Sequence, residues 1–204
     1  MFITFEGLDF CGKSTQVKLL IEYLEKKGNK VCLLREPGGT AISEKIRDIL
    51  LDKKNYEMCI ESELLLFYAS RAQLIKEKIL PELAAGNIVI SDRFHDSSTA
   101  YQGYGRGLSV QFIDKLNEFV VNNSSPNITF FIDLPINVIE KRKLNCKKED
   151  LDRIESSELE FWQRVRIGYH QIAKKESRFC IIDGTKSIEE IHLSIIDAIN
   201  LLDL

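Results

Sequence analysis

Gly7, Gly12, Lys13 and Ser14 stand at the spacing G-x-x-x-x-G-K-[ST], a pattern whose chemistry is phosphate binding. A tight turn aims successive backbone N–H groups inward, and the helix that follows adds its positive N-terminal end. Gly7, Leu8, Asp9, Phe10, Cys11, Gly12, Lys13, Ser14 and Thr15 would thus cradle the phosphates of a nucleoside triphosphate. Lys13 would reach the β- and γ-phosphates, and the Ser14 hydroxyl would hold Mg2+. Arg35 and Arg93 each stand where an apolar run gives way to a polar cluster. Guanidinium groups there suit bidentate binding of a second, acceptor phosphate. Transfer between two phosphates needs alignment, charge neutralisation and exclusion of water more than a strong base.

Regular elements must hold those groups in place. Phe2, Ile3, Thr4 and Phe5 form an apolar run of strand character before the loop, and Val17, Leu20, Ile21 and Leu24 recur at helical spacing after it. Further strands are expected at 31–34, 87–91, 128–132 and 179–182. Helical patterns cover Ile42 to Leu50, residues 61–83, residues 109–121, the stretch opened by Pro135, and the C-terminal stretch. Pro81 predicts a kink or an early stop in the long helix. A polar, Gly-rich run follows Asp92-Arg93-Phe94 as far as Gly107. Strands alternating with helices predict a three-layer α/β/α P-loop fold on a five-stranded parallel sheet, one domain over residues 1–204. Such a sheet binds ligands beyond the carboxyl ends of its strands. Asp9, Arg35-Glu36, Asp92-Arg93 and Asp133 all fall there. Residues 140–153 are crowded with lysines and acids and look too polar to pack. They read either as a solvated charge run or as a closing lid that delivers cations, and Arg142, Arg153, Arg164 and Arg166 read equally as surface ion-pair partners.

Composition narrows the function classes. The chain has 204 residues, 44% hydrophobic and 29% charged, with a net charge of −3. That charge leaves no basic footprint for nucleic acid. Five cysteines at 11, 32, 59, 146 and 180 form no C-x-x-C pair, which points away from a disulfide framework or zinc site and toward a reducing, cytoplasmic setting. No apolar run is long enough to span a membrane, and no signal segment is expected ahead of the first strand.

Taken together, Phe5-Glu6-Gly7-Leu8-Asp9, Gly12-Lys13-Ser14-Thr15-Gln16, Arg35-Glu36-Pro37-Gly38-Gly39-Thr40, Asp92-Arg93-Phe94 with Tyr101-Gln102-Gly103, and Leu151-Asp152-Arg153-Ile154-Glu155 resemble the thymidylate kinase family in its bacterial form. The resemblance runs from residue 2 to about residue 175. It implies a homodimer that transfers the γ-phosphoryl group of ATP to dTMP with Mg2+, for dTTP synthesis. It also implies a catalytic set of Asp9, Lys13, Arg93 and Arg153, with Asp92 supporting the metal and Lys13 and with Arg142 flanking the adenine. On the dTMP side it implies Arg35 and Arg93 on the phosphate and Asp9 between the two substrates. Phe67 and Arg71 would read the base, Ser98 and Gln102 would bond its edge, and Tyr101 would lie against the deoxyribose. Another pyrimidine nucleoside monophosphate kinase is the alternative. A nucleotide-dependent switch would want an N-K-x-D motif, which is absent. The chain departs from the family pattern at Phe10, at Cys11 and in a lysine-rich lid over about 140–156. If the loop needs positive φ at Phe10, a phenylalanine there costs about 1 kcal/mol relative to glycine.

Overall fold

The computed structural model describes residues 1–145 and 151–202. Five parallel strands, β1 (Phe2–Glu6), β2 (Val31–Arg35), β3 (Ile88–Asp92), β4 (Ile128–Asp133) and β5 (Phe179–Asp183), lie in the order β2-β3-β1-β4-β5. β1 is central because it is apolar on both faces. Phe2 packs with Val89 on one side, while Ile3 and Phe5 pack with Ile90 and Phe130 on the other. Continuous burial of this kind is the mark of a parallel strand covered by helices above and below.

The helices are α1 (Lys13–Lys26), α2 (Ala41–Leu51), α3 (Ile60–Leu74), α4 (Leu80–Ala84), α5 (His95–Ser98), α6 (Val110–Val120), α7 (Ile136–Leu144), α8 (Leu159–Lys175) and α9 (Ile188–Asn200). α1 packs against α9 and against β2 and β3. The fold class matches the expectation, with each strand longer by a residue or shifted by one.

Three local expectations need correction. The long helix does not stop at Pro81. Residues Ile75–Ile79 widen into a π-helical turn, with the Leu80 N–H donating to the Ile75 carbonyl, and the chain continues as α4 to Ala84. Proline at the first turn of a helical segment lacks only an N–H that has no intrahelical partner there. The Gly-rich run is also helical: α5 passes into a π-helical segment, Thr99–Gly105. Gly105 serves packing, since a Cβ on it would lie 2.6 Å from the Phe161 ring of α8. Finally, the charged stretch stays largely exposed over residues 140–145, as expected, but packs from residue 151 onward. Leu151 and Ile154 are buried, and the Arg153 N–H donates to the Leu51 carbonyl. Cys146, Lys147, Lys148, Glu149 and Asp150 of the expected lid lie outside the described residues.

Candidate active site

The phosphate loop is forced into shape by its position between β1 and β4. Gly7 has φ +138°, and a Cβ there would lie 2.6 Å from the Ile132 carbonyl oxygen, so only glycine fits. Gly12, also at positive φ, caps α1. Phe10 does adopt a left-handed backbone, φ +65°, and its carbonyl accepts from Arg142 Nη1 at 2.9 Å. Lys13 Nζ turns back into the loop and donates to the carbonyls of Leu8 (2.8 Å) and Gly7 (3.1 Å). Ser14 Oγ donates to Asp92 Oδ2 at 3.3 Å. Leu8 and Cys11 contribute backbone to the loop while their side chains are buried in the core.

Strand register then sets the acceptor side opposite the loop. Pairing of Arg35 with Asp92, and of Asp92 with Phe5, brings three strand ends side by side. The resulting cleft holds about 450 Å3. Its walls carry Asp9, Phe10, Gly12, Lys13, Ser14 and Thr15 from the loop and Arg35, Asp92 and Arg93 from the neighbouring strands. Phe67, Arg71, Ser98, Tyr101 and Gln102 complete them from the helices.

Arg93 is the hub, and it too has a left-handed backbone, φ +71°. Its Nη2 pairs with Asp9 Oδ1 and donates to Tyr101 OH at 2.9 Å, and its Nη1 donates to the Gly7 carbonyl at 2.9 Å. Burial pushes the Asp9 carboxyl up, but Arg93 and Lys13 outweigh it and hold Asp9 below the usual carboxylate range. Arg35 Nη2 pairs with Glu44 at 2.9 Å. Arg71 is buried, with Nε and Nη2 on Glu36, Nη1 on Ser98 Oγ (3.1 Å) and Nη2 on the Phe94 carbonyl (3.2 Å). Phe67, one turn earlier on α3, is half-buried on the same wall. Gln102 Nε2 donates to Glu63 at 2.9 Å.

Arg153 and Arg142 are not among the residues that wall the cleft. Arg153 Nη1 pairs with the buried Glu63 carboxylate at 2.7 Å, and its Nε donates to the Leu50 carbonyl at 2.8 Å. Those partners tie the guanidinium to α3 and to the end of α2. Arg166, open as a surface ion-pair partner, does pair with Asp133, and Arg164 Nε donates to the Gly105 carbonyl.

The cleft also contains residues to which sequence reasoning assigned no role. Arg47 is half-buried and donates to the Pro37 carbonyl at 2.8 Å. Its signal was present, because Arg47 lies three residues after Glu44 and so shares a helical face with it. Glu36, Asp152 and Glu155 line the cleft as well. Burial raises the carboxyl pKa of all three; Arg71 opposes it at Glu36, and the nearby Asp9 adds to it at Asp152 and Glu155. All three stand in the motifs quoted above but carried no chemistry until the fold put them in one wall.

The arrangement can hold a polyphosphate on the loop and a monophosphate under Arg35, Arg47 and Arg93. Ser14 and Asp92 also offer a hydroxyl and a carboxylate oxygen close together, a hard-oxygen pair of the kind Mg2+ prefers.

A family model described as thymidylate kinase matches residues 5–195. A thymidylate kinase of Fervidobacterium nodosum is 52% identical over 98% of this chain and 98% of its own length. One from Kosmotoga olearia is 50% identical over 96% of this chain and 93% of its own. Among solved structures, the thymidylate kinase from Ehrlichia chaffeensis superposes with a TM-score of 0.79 at 40% identity, covering 98% of both chains.

Proposed function

Because the chain belongs to the thymidylate kinase family, we propose that it transfers the γ-phosphoryl group of ATP to dTMP, giving ADP and dTDP for dTTP synthesis. The observation that carries this reading is one cleft lined by a phosphate loop and by Arg35, Arg47, Arg71 and Arg93. The backbone of Gly7 to Thr15 and the Lys13 ammonium bind the donor. Arg35, Arg47 and Arg93 hold the acceptor phosphate in line with it, and that phosphate is anionic enough near neutral pH to attack without a strong base. Asp9, kept ionised by Arg93 and Lys13, spaces the two anions and holds Arg93 toward them.

Ser14 and Asp92 would hold Mg2+, which when bound neutralises charge on the donor phosphates. Arg71, fixed by Glu36, presents a guanidinium edge to the thymine while Phe67 stacks on it. Ser98 and Gln102 bond the pyrimidine edge, and Tyr101 closes the space where a 2′-hydroxyl would sit. Arg142, already on the Phe10 carbonyl, flanks the adenine. Arg153 joins the transferring phosphate by exchanging Glu63 for it.

The enzyme acts as a cytoplasmic homodimer. The described cysteines carry no disulfide, and no described helix is long and apolar enough to cross a membrane. The dimer reading rests on α3 and α6, which pack on each other through Leu64, Tyr68 and Ile113 yet leave Leu65, Phe112 and Phe119 exposed.

The test is ADP release with ATP and Mg2+ against dTMP, dUMP, UMP, CMP, AMP and GMP. Turnover dominated by dTMP is expected, lowered by roughly 100-fold or more in Arg93→Ala, since removal of a preorganised charge donor costs that much. Preference for a ribonucleotide would remove the role given to Tyr101, and no turnover with any acceptor would refute the reaction.

A further inference from the structure

Glu6, the last residue of β1, is fully buried immediately before the phosphate loop, and the mechanism above gives it no contact with either substrate. Its partners converge on one neighbour. Oε1 accepts from the Phe94 backbone N–H at 2.8 Å, and Oε2 accepts from the hydroxyls of Ser97 (2.6 Å) and Tyr169 (2.7 Å). Those hydroxyls in turn receive Arg93: its Nη1 donates to Ser97 Oγ at 3.2 Å and to Tyr169 OH at 3.3 Å. β1 also anchors the backbone of Arg93, whose N–H donates to the Phe5 carbonyl at 2.9 Å.

Hydroxyl chemistry gives this ladder a direction. Serine and tyrosine each own one hydrogen and two lone pairs. Ser97 Oγ and Tyr169 OH also lie 2.9 Å apart; when both hydrogens go to the Glu6 carboxylate, their lone pairs are left to accept from Arg93. A guanidinium has donors only, so a pair of oriented acceptors on its inner edge restricts its rotation. Its other terminal nitrogen then stays on Asp9 and Tyr101 at the cleft wall. We propose that Glu6 is a positioning residue, which acts through Ser97 and Tyr169 to hold the Arg93 guanidinium in its working orientation. The inference rests on the proposed role of Arg93 at the acceptor phosphate.

The charge state of Glu6 bears on the choice of conditions. Burial, with help from Asp96, pushes its pKa up to about 7 against the pull of Arg93, Ser97 and Tyr169. The other charged or titratable groups that act with it are Arg71 of α3, Tyr169 of α8, and Arg178, which pairs with Asp96 ahead of β5. Measurements at pH 8 therefore sample the carboxylate form.

Glu6→Gln, the double variant Ser97→Ala/Tyr169→Phe and the triple combination should be compared with the parent at pH 8. Each is read by kcat, KM for dTMP, KM for ATP and thermal unfolding. Glu6→Gln is expected to lower kcat/KM for dTMP by roughly 10- to 100-fold, the scale of a misplaced catalytic group. The KM for ATP should stay within about twofold. Its Tm should be no lower than the parent's, because a desolvated charge has been removed. The double variant should show the same loss, and adding Glu6→Gln to it should change little further, as groups acting in series are non-additive.

A Glu6→Gln enzyme with parental kinetics, or one that loses Tm while keeping kcat, overturns the proposal. Full additivity in the triple variant overturns it too. If Glu6→Gln does not fold, the double variant decides: parental kinetics there reject the ladder, and the selective dTMP loss supports it. A parent enzyme inactive on dTMP would instead refute the proposed reaction, an outcome separate from any of these.

Discussion

Arg71 illustrates what a single buried charge demands. It is 1% exposed and would be intolerable alone, yet Glu36 neutralises it, Ser98 and the Phe94 carbonyl take further donors, and the rings of Tyr68 and Phe94 cover its faces. Desolvation opposes the charge, but Glu36 and Tyr68 more than offset it and raise the Arg71 pKa. Removing one partner strands the other. Arg71→Ala is therefore expected to cost about 3–5 kcal/mol in urea unfolding, and Glu36→Gln added to it should restore part of that loss by discharging the orphaned carboxylate. Phe10 shows the opposite economy. It holds a left-handed backbone that glycine would adopt without strain, but its ring packs on the core, which offsets the strain.

Among the elements, α9 begins with a complete capping box: Ser187 Oγ accepts from the Glu190 N–H, and the Glu190 carboxylate accepts from the Ser187 N–H. Ser187→Ala should cost about 1 kcal/mol of stability, read as a lower Tm; Gln16 of α1, two residues after Ser14, donates to the neighbouring Ile188 carbonyl at 3.0 Å and keeps the start of α9 in place. The helix between β3 and α6 is the element least legible in the chain. Glycines at 103, 105 and 107 depress helix propensity, and a π-helical segment has no 3.6-residue periodicity to detect. Tertiary packing of Gly105 and Tyr104 against α8 overrides both. That widened segment also turns Tyr101 and Gln102 into the cleft alongside Ser98, so the misread element is the one that carries half of the base-side wall. Glu63 does comparable work across elements, tying α3 to Gln102, Arg106 and Arg153.

For the whole molecule, two buried groups pull stability in opposite directions with pH. Burial lowers the pKa of His95 from 6.5 to about 4. The unfolded chain therefore takes a proton below pH 6.5 that the folded chain refuses, and stability from this group is lost as pH falls from 6.5 toward 4. Glu6 is raised from 4.5 to about 7. Its folded form keeps a proton the unfolded carboxyl releases, so its contribution is full below pH 4.5 and is lost as pH rises to 7. Urea unfolding across pH 4.5–8 should show Glu6→Gln gaining on the parent as pH rises and His95→Gln gaining on it as pH falls. The proposed homodimer is tested at the same scale. Phe119, 84% exposed on α6, is the sharpest probe of a pairing face. Phe119→Asp is expected to shift sedimentation from dimer toward monomer, and an unchanged sedimentation coefficient would move the interface elsewhere.

By itself the sequence determined the parallel sheet, because its strands are short apolar runs separated by helical periodicity. It also determined the phosphate loop and the arginines at the strand ends, since glycine, lysine and arginine at those spacings have few other uses. Only the tertiary structure decided which neighbours share a wall. Arg47, Asp152 and Glu155 enter the cleft through the packing of α2 and of the turn after residue 150. Arg153 is turned instead to Glu63, ninety residues earlier, whose buried carboxylate pairs with it. Glu6 gains its ladder to Arg93 from β1, α5 and α8 at once. Such contacts join residues far apart in the chain, and they depend on strand register and helix approach, which no local pattern encodes.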